Sequence, residues 1–290
     1  MIKGYSKLSD PEKNEVCKFI SRSLNVIKSI DEIEKLFNNK VNRYGEGSLF
    51  CFINGKVVGE INIVLEACEN LGTVYIHTIE VLEELKDKKH IVKNLVDEAL
   101  KLSKKHDPSE IYLGAKNEEI LNILESLGCK KEYAAFSMIL DDKNKKEECL
   151  DLIKLSNENK KVYLNIFNDS FSDMPHGCFL NLSEVEEYIN KTDNKNYFFM
   201  VAKSNTIIGF MNCEIQGERG LFDIGLKKEY RGKGYGKPLL ETAIDFLNKK
   251  MVDNIELTVI EKNSIAYNMY KKRGFKEKSV LSYWMEIKLN

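Results

Sequence analysis

Proline is scarce in this chain, 4 residues in 290, and no stretch is rich in serine and glycine. Long flexible linkers and a disordered chain are thereby excluded. Charge of one sign is also lacking: 44 Lys+Arg stand against 45 Asp+Glu, for a net charge of -1. That balance offers no basic footprint, so no nucleic-acid partner is expected. No run approaches the ~18 to 20 apolar residues of a membrane-spanning helix. The opening MIKGYSKLSD lacks the apolar core of a signal peptide. No membrane partner is therefore expected, and the reading is of a cytoplasmic protein. The cysteines Cys17, Cys51, Cys68, Cys129, Cys149, Cys178 and Cys213 are odd in number, and none are spaced C-x-x-C. Neither a disulfide framework nor a metal site is expected; buried thiols in a reducing compartment are.

What is present is ordinary globular material, 43% hydrophobic and 31% charged, long enough for two domains with a core each. The chain also repeats itself, at a period of about 147 residues. Ser9 opens a helical pattern with Val16, Phe19 and Ile20, as Ser156 does with Tyr163, Ile166 and Phe167. VVGEIN at 57–62 sits like IIGFMN at 207–212. Leu95, Val96, Ala99 and Leu100 match Leu239, Leu240, Ala243 and Ile244, and IYLGAKN at 111–117 matches ELTVIEKN at 256–263. Each half closes on a strand-like run, AAFSMIL or LSYWMEIKL. The wholly polar DDKNKKEE at 141–148 falls where such a repeat needs a boundary. Domains at 1–140 and 150–290, joined by a linker at 141–149, are expected.

In the second half, NYFFMVAK and IIGFMNCEI read as a hairpin around an SNT turn, and LFDIGL at 221–226 as the next strand. Pro238 to Lys249 forms an amphipathic helix pattern, NIELTVI a strand, and Ser264 to Arg273 a helix stopped by Gly274. Between LFDIGL and the first of these helices lies YRGKGYGKPLL. Gly232, Gly234 and Gly236 alternate there with Lys233 and Tyr235, flanked by Arg231 and Lys237. Alternating glycines let successive amides turn inward, and the helix adds the positive end of its dipole. An anion site suited to phosphate results, which Arg231 and Lys237 can supplement. The loop is not a P-loop, since Arg231 stands where its first glycine belongs and Pro238 where its Ser/Thr belongs. It is not a dinucleotide fingerprint either, because the spacing is G-x-G-x-G.

R-x-x-G-x-G between a strand and a helix resembles the pyrophosphate loop of the GNAT superfamily of N-acetyltransferases. NSIAYNMYKKRGF at 263–275 fits N-x-x-A-x-x-x-Y-x-x-x-G-F and resembles a second signature of that superfamily. Asn263 or Ser264 can cap this helix, and Ala266 and Tyr270, four apart, share a face. The resemblance covers 150–290 in motif and pattern, and the first half in pattern only. At the loop's position the first half reads EELKDKKHIVKNL, without glycine, and Leu124 stands where Tyr270 does. The fold implied is α/β, the α+β mixed-sheet GNAT acyltransferase fold in two tandem copies, the first degenerate and unable to hold acetyl-CoA.

The resemblance further implies acetyl-CoA as cosubstrate, held between LFDIGL and IELTVI. Strand backbone at Ile224 and Leu226 would meet the pantetheine amides, and backbone from Gly232 to Lys237 the pyrophosphate. An amine of a small or medium molecule would attack the thioester directly, with Tyr270 protonating the thiolate. Asp223 ranks first as the base, with Glu214 and His176 as alternatives; Cys178 lacks a paired histidine and aspartate. The family builds its acceptor pocket from the helices after the first strand. Here that region is FNDSFSDMPHGCFLNL at 167–182, where Phe171, Met174, His176 and Phe179 would meet the substrate and Asp173 can anchor an amine. The alternatives are a peptide or protein N-acetyltransferase and a non-catalytic acyl-CoA-binding regulator. A monomer with its two domains paired within the chain is expected.

Overall fold

The structure is a computed structural model describing residues 1–144, 148–174 and 176–289. Lys145, Lys146 and Glu147 of the expected linker, and Pro175 of the expected acceptor region, lie outside the described residues. The chain forms two compact units, one of Met1–Ala134 with Leu281–Asn290, the other of Ala135–Val280. The units do not follow the chain halves, because each contains the closing strand of the other half.

The first unit contains β1 (Ile2–Gly4), α1 (Asp10–Ser23), α2 (Ile30–Phe37), β2 (Ser48–Ile53), β3 (Lys56–Val64), α3 (Glu66–Leu71), β4 (Thr73–Val81), α4 (Lys88–Lys104), β5 (Glu110–Ala115) and α5 (Glu118–Ser126). Ser9 with Glu12 and Ser29 with Glu32 close capping boxes that start α1 and α2. Asn54 and Gly55 both take positive φ and turn β2 into β3. The strands run in the order β1-β2-β3-β4-β5, and Ile111–Ala115 of β5 pairs antiparallel with residues 283–287. One face is covered by Val92, Leu95 and Ala99 of α4, packed with Ile61, Ile63, Val74 and Ile76. The other carries Phe19 and Ile20 of α1 with Ile33 and Phe37 of α2, against Phe50 and Phe52.

The second unit takes most of β6 (Tyr133–Leu140), then β7 (Asp151–Lys154), α6 (Lys160–Phe171), α7 (Leu182–Lys191), β8 (Asn196–Lys203), β9 (Thr206–Gln216), β10 (Arg219–Leu226), α8 (Gly236–Lys249), β11 (Asn254–Ile260), α9 (Ser264–Arg273) and the start of β12 (Lys276–Ile287). Its strands run β6-β11-β10-β9-β8-β7. Ser204 and Asn205, both at positive φ, make the expected SNT turn. The apolar stripe of α8 is buried as its period predicts, with Leu239, Leu240, Ala243, Ile244 and Leu247 each 2% exposed or less. The opposite face is an aromatic layer of Tyr163, Phe167 and Phe210 under α6.

Of the thiols, Cys51 and Cys213 alone are fully buried among the described residues, and Cys178 is exposed. The expectation of buried cysteines therefore holds for two positions and fails outright at Cys178. One buried ion pair bears on stability. Arg273, at the end of α9, donates to Glu241 of α8 and also to the carbonyls of Asp142 and Asn144. Both side chains are nearly inaccessible, at 6% and 2%. Glu241→Ala strands the guanidinium without its counter-charge, so a loss of about 3–5 kcal/mol is expected. Urea unfolding of the two proteins measures it.

Candidate active site

The site begins where two strands part. β10 pairs with β9 along its whole length, Arg219 to Leu226. It pairs with β11, in parallel, only from Arg219 to Leu221, opposite Asn254 to Glu256. Beyond that point β11 keeps its other neighbour, β6, up to Ile260. The edges of Phe222–Leu226 and Leu257–Ile260 thus face each other without a ladder, leaving peptide groups for a ligand to pair with. Ile224 and Leu226 lie on this open edge.

The glycine loop stands at the head of the opening. Gly232 and Gly234 have φ of 71° and 88°, in the left-handed region, while Arg231 between β10 and the loop is extended. A side chain at either glycine would meet nothing within 4 Å, so the glycines serve the backbone conformation and leave open space above it. Helix α8 follows from Gly236, and its first turn has no side-chain cap. The amides of Gly232 to Lys237 donate to no backbone carbonyl among the described residues. Amides without backbone acceptors at a helix start, with Lys237 exposed beside them, are donors that an anion could take up. Lys233 leans over the ring of Tyr230, 5.5 Å from its centroid, and Tyr230 packs edge-on against Tyr235.

Arg231 is engaged within the chain. Its guanidinium does not face the loop but holds both oxygens of Asp173, at 2.9 and 2.8 Å, and the carbonyls of Ser170 and Leu226. Asp169 likewise accepts from the Lys228 amide at 2.8 Å. The end of α6 and the segment after it are thereby tied to the glycine loop, and Asp173 is engaged by Arg231.

α9 supplies the third element. Asn263 caps it, accepting from the Ala266 amide at 3.3 Å, and its side-chain nitrogen donates to the sulfur of Met174 at 3.5 Å. Tyr270 is buried, edge-on to Phe222 and tilted against Phe275. Burial first, and the charge of Asp223 second, push its phenol well above the usual range. The hydroxyl therefore keeps its proton at any ordinary pH.

Asp223 lies across the sheet register from Asn212, whose oxygen accepts from Tyr163 of α6 at 2.6 Å. Asp223 is open to solvent, yet desolvation by the surrounding protein and then Glu214 raise its carboxyl pKa. Burial first, with a smaller contribution from the charge of Asp223, raises the phenols of Tyr163 and Tyr188, the latter to about 12. Tyr188 stacks on Phe198 with centroids 4.4 Å apart. Asp223, Asn212, Tyr163 and Tyr188 thus make one polar and aromatic group, with Glu214 beside it.

Of the expected acceptor residues, Phe171 stacks in the aromatic layer, 4.9 Å from Phe167, and Met174 meets Asn263. His176 is half-buried at a φ of 57°, and Phe179 is half-buried. Tyr163, Tyr188 and Asn212 were not foreseen. Asn212 had a legible signal: in GFMNCE it sits two residues after Phe210 and two before Glu214, so polar groups replace the apolar face of a strand.

The first unit presents a different helix start at the equivalent position. Asp87 caps α4 with its own carboxylate, accepting from the His90 amide at 3.1 Å, and Leu124 is fully buried in the core.

Residues 161–275 match the family model described as acetyltransferase (GNAT) family. A [ribosomal protein bS18]-alanine N-acetyltransferase of Haemophilus influenzae is 35% identical over 99 residues, 34% of this chain and 62% of that protein. The chain therefore spans less than two thirds of that relative's length. A spermidine N(1)-acetyltransferase of Thermoplasma acidophilum is 28% identical over 134 residues, 45% of this chain and 83% of that one. A solved tandem GNAT protein from the clavulanic acid biosynthesis pathway covers 99% of this chain and 98% of its own at a TM-score of 0.63. At 11% identity that likeness speaks to fold alone.

Proposed function

We propose that the chain, whose residues 161–275 match the GNAT acetyltransferase family, is an acyltransferase that moves an acetyl group from acetyl-CoA to the amine of a small cationic molecule. The observation that carries this reading is the parting of β10 from β11 between an uncapped glycine loop and the Asp223 group. Amides from Gly232 to Lys237 hold the pyrophosphate, and the open edge at Ile224 and Leu226 pairs with the pantetheine amides. When bound, acetyl-CoA supplies a thioester as the acetyl donor.

Asp223 attracts the substrate ammonium and takes its proton, and its raised pKa makes it a better base than an ordinary aspartate. Tyr270 donates a hydrogen bond to the sulfur as charge develops there. Its phenol pKa lies above that of a thiol, ~8.5, so the hydroxyl stabilises the thiolate without surrendering its proton outright. The first unit, with Asp87 on its helix start, does not hold acetyl-CoA in this reading.

A second reading, in which the acceptor is the N-terminus of a protein, is favoured by the bS18-alanine relative. Spermidine and an alanine-starting peptide, assayed by release of the CoA thiol, separate the two. Turnover of spermidine at the higher kcat/KM upholds the first reading, and turnover of the peptide alone the second. No turnover with any amine, together with acetyl-CoA binding, leaves a binding protein. Calorimetry should return one acetyl-CoA site per chain, and two would mean that the first unit also binds.

The base has a pH signature. Activity should rise with pH through the raised pKa of Asp223 and then level. Glu214→Gln removes a charge that raises that pKa. The acidic limb of kcat/KM should then move to lower pH. Asp223→Asn should abolish the limb along with most of the rate. An acidic limb that ignores Glu214→Gln would assign the proton to another group.

A further inference from the structure

The first unit has its own polar cluster, on the sheet face that α1 and α2 cover. Cross-strand register sets Ser48, Asn62 and His77 in one row of β2, β3 and β4, and Phe50, Glu60 and Glu80 in the next. Ser48, Glu60 and Asn62 are 0%, 3% and 6% exposed. Ser48 Oγ, Glu60 Oε2 and Asn62 Oδ1 have no hydrogen-bond partner among the described residues. Three oxygens in two adjacent rows are thus buried without donors, a costly arrangement for one group and rarer still for three.

The sister unit shows what has changed. Asn212 corresponds to Asn62 in the matched runs IIGFMN and VVGEIN, and its oxygen is satisfied by Tyr163. The residue that matches Tyr163, seven after the helix-opening serine, is Val16, which has no hydroxyl. Where the second unit has Phe210, fully buried, the first has Glu60. One donor has been removed and one carboxylate added at the same place.

The cluster reaches the surface through Glu80, whose side chain keeps 23% of its area exposed and meets Lys116 at 3.4 Å and the hydroxyl of Ser23. Glu60 and Glu80 against Lys116 leave one negative charge uncompensated when all three are ionised. His77, its Nδ1 on the Thr78 hydroxyl at 2.7 Å, has its pKa lowered by burial and adds no charge. Glu60 in turn has its pKa raised well above normal by burial and by Glu80, a cost that a cation would relieve. Among the described residues no group of three His, Cys, Asp or Glu could hold a metal ion. A primary ammonium, with three N–H donors and one positive charge, matches three acceptors and one excess negative charge.

We propose that the first unit binds a primary ammonium compound between Ser48, Glu60 and Asn62, with Glu80 at the entrance, and holds it without acetylating it. The site is separate from the Asp223 group and its occupancy needs no acetyl-CoA.

The test is calorimetric titration of the full chain with spermidine, in the absence of acetyl-CoA, for four proteins. The wild type should bind at two sites per chain. Glu60→Gln, which keeps the shape and removes the charge, should lose one of them or weaken it at least tenfold while steady-state acetylation is unchanged. Glu80→Gln, at the half-open entrance, should weaken the same site and serves if Glu60→Gln fails to fold. Asp223→Asn should spare this site. If Glu60→Gln and Glu80→Gln both bind spermidine as the wild type does, the proposal is wrong and Glu60 is a protonated core residue. If Asp223→Asn changes nothing while the two glutamine variants each lose a site, this proposal stands and the reading of the acceptor site falls alone.

Discussion

Tyr270→Phe should lower kcat by about a hundred- to a thousandfold, the usual worth of one donor to a developing negative charge, with little change in the affinity for acetyl-CoA. The ring is set by Phe222 and Phe275, which phenylalanine would meet equally well, so the core and the shape of the opening should survive. Only the hydroxyl is lost, and it makes no hydrogen bond among the described residues; in the proposed mechanism its deletion removes the donor to sulfur. Because the phenol is raised well above its ordinary value, the wild-type rate should show no basic limb from Tyr270 across the neutral range. Single-turnover rates for the chemistry and calorimetry for the affinity decide it. A large loss of acetyl-CoA binding with the rate on bound substrate intact would make the hydroxyl structural. A basic limb that vanishes in Tyr270→Phe would mean that the phenol titrates where its burial says it should not.

The residues legible in the sequence share a property: each acts through its neighbours in the chain. Gly232 and Gly234 impose a local backbone conformation, Asn263 caps the helix it begins, and Tyr270 lies on that helix's face two turns later. Arg231 looked like another member of that local set. Its partner, Asp173, is far away in sequence, and no spacing rule could have revealed a pair closed only by the packing of α6 against β10. The same holds for Tyr163 with Asn212, a hydroxyl on one element meeting an amide on another. Exchange of the closing strands was hidden for a different reason. Alternation in AAFSMIL and LSYWMEIKL shows which side chains share a face, but says nothing about which strand lies alongside. β6 is the next strand after β5 in the chain, yet it pairs with β11, while β12 pairs with β5.

The glycine loop yields the largest expected change in binding, because its substitution can be split into two separable effects. Gly234→Ala adds only a Cβ, which meets nothing within 4 Å, at a φ of 88° that costs a non-glycine residue about 1–2 kcal/mol. That cost falls on the stability of the loop; acetyl-CoA affinity should drop modestly. Gly234→Asp adds the same strain and also sets a carboxylate where the phosphates must sit. At a separation of ~4 Å and an effective dielectric of ~20, two like charges repel by about 4 kcal/mol, which is roughly a thousandfold in Kd. Calorimetry with acetyl-CoA should therefore show Gly234→Ala near the wild type and Gly234→Asp without measurable binding, while circular dichroism shows both folded. The loss should ease at high salt, as a charge effect must. Equal losses in the two variants would assign the effect to strain at φ and not to the anion cradle. Unchanged affinity in both would remove the pyrophosphate from this loop, and with it the reason for three glycines in front of α8.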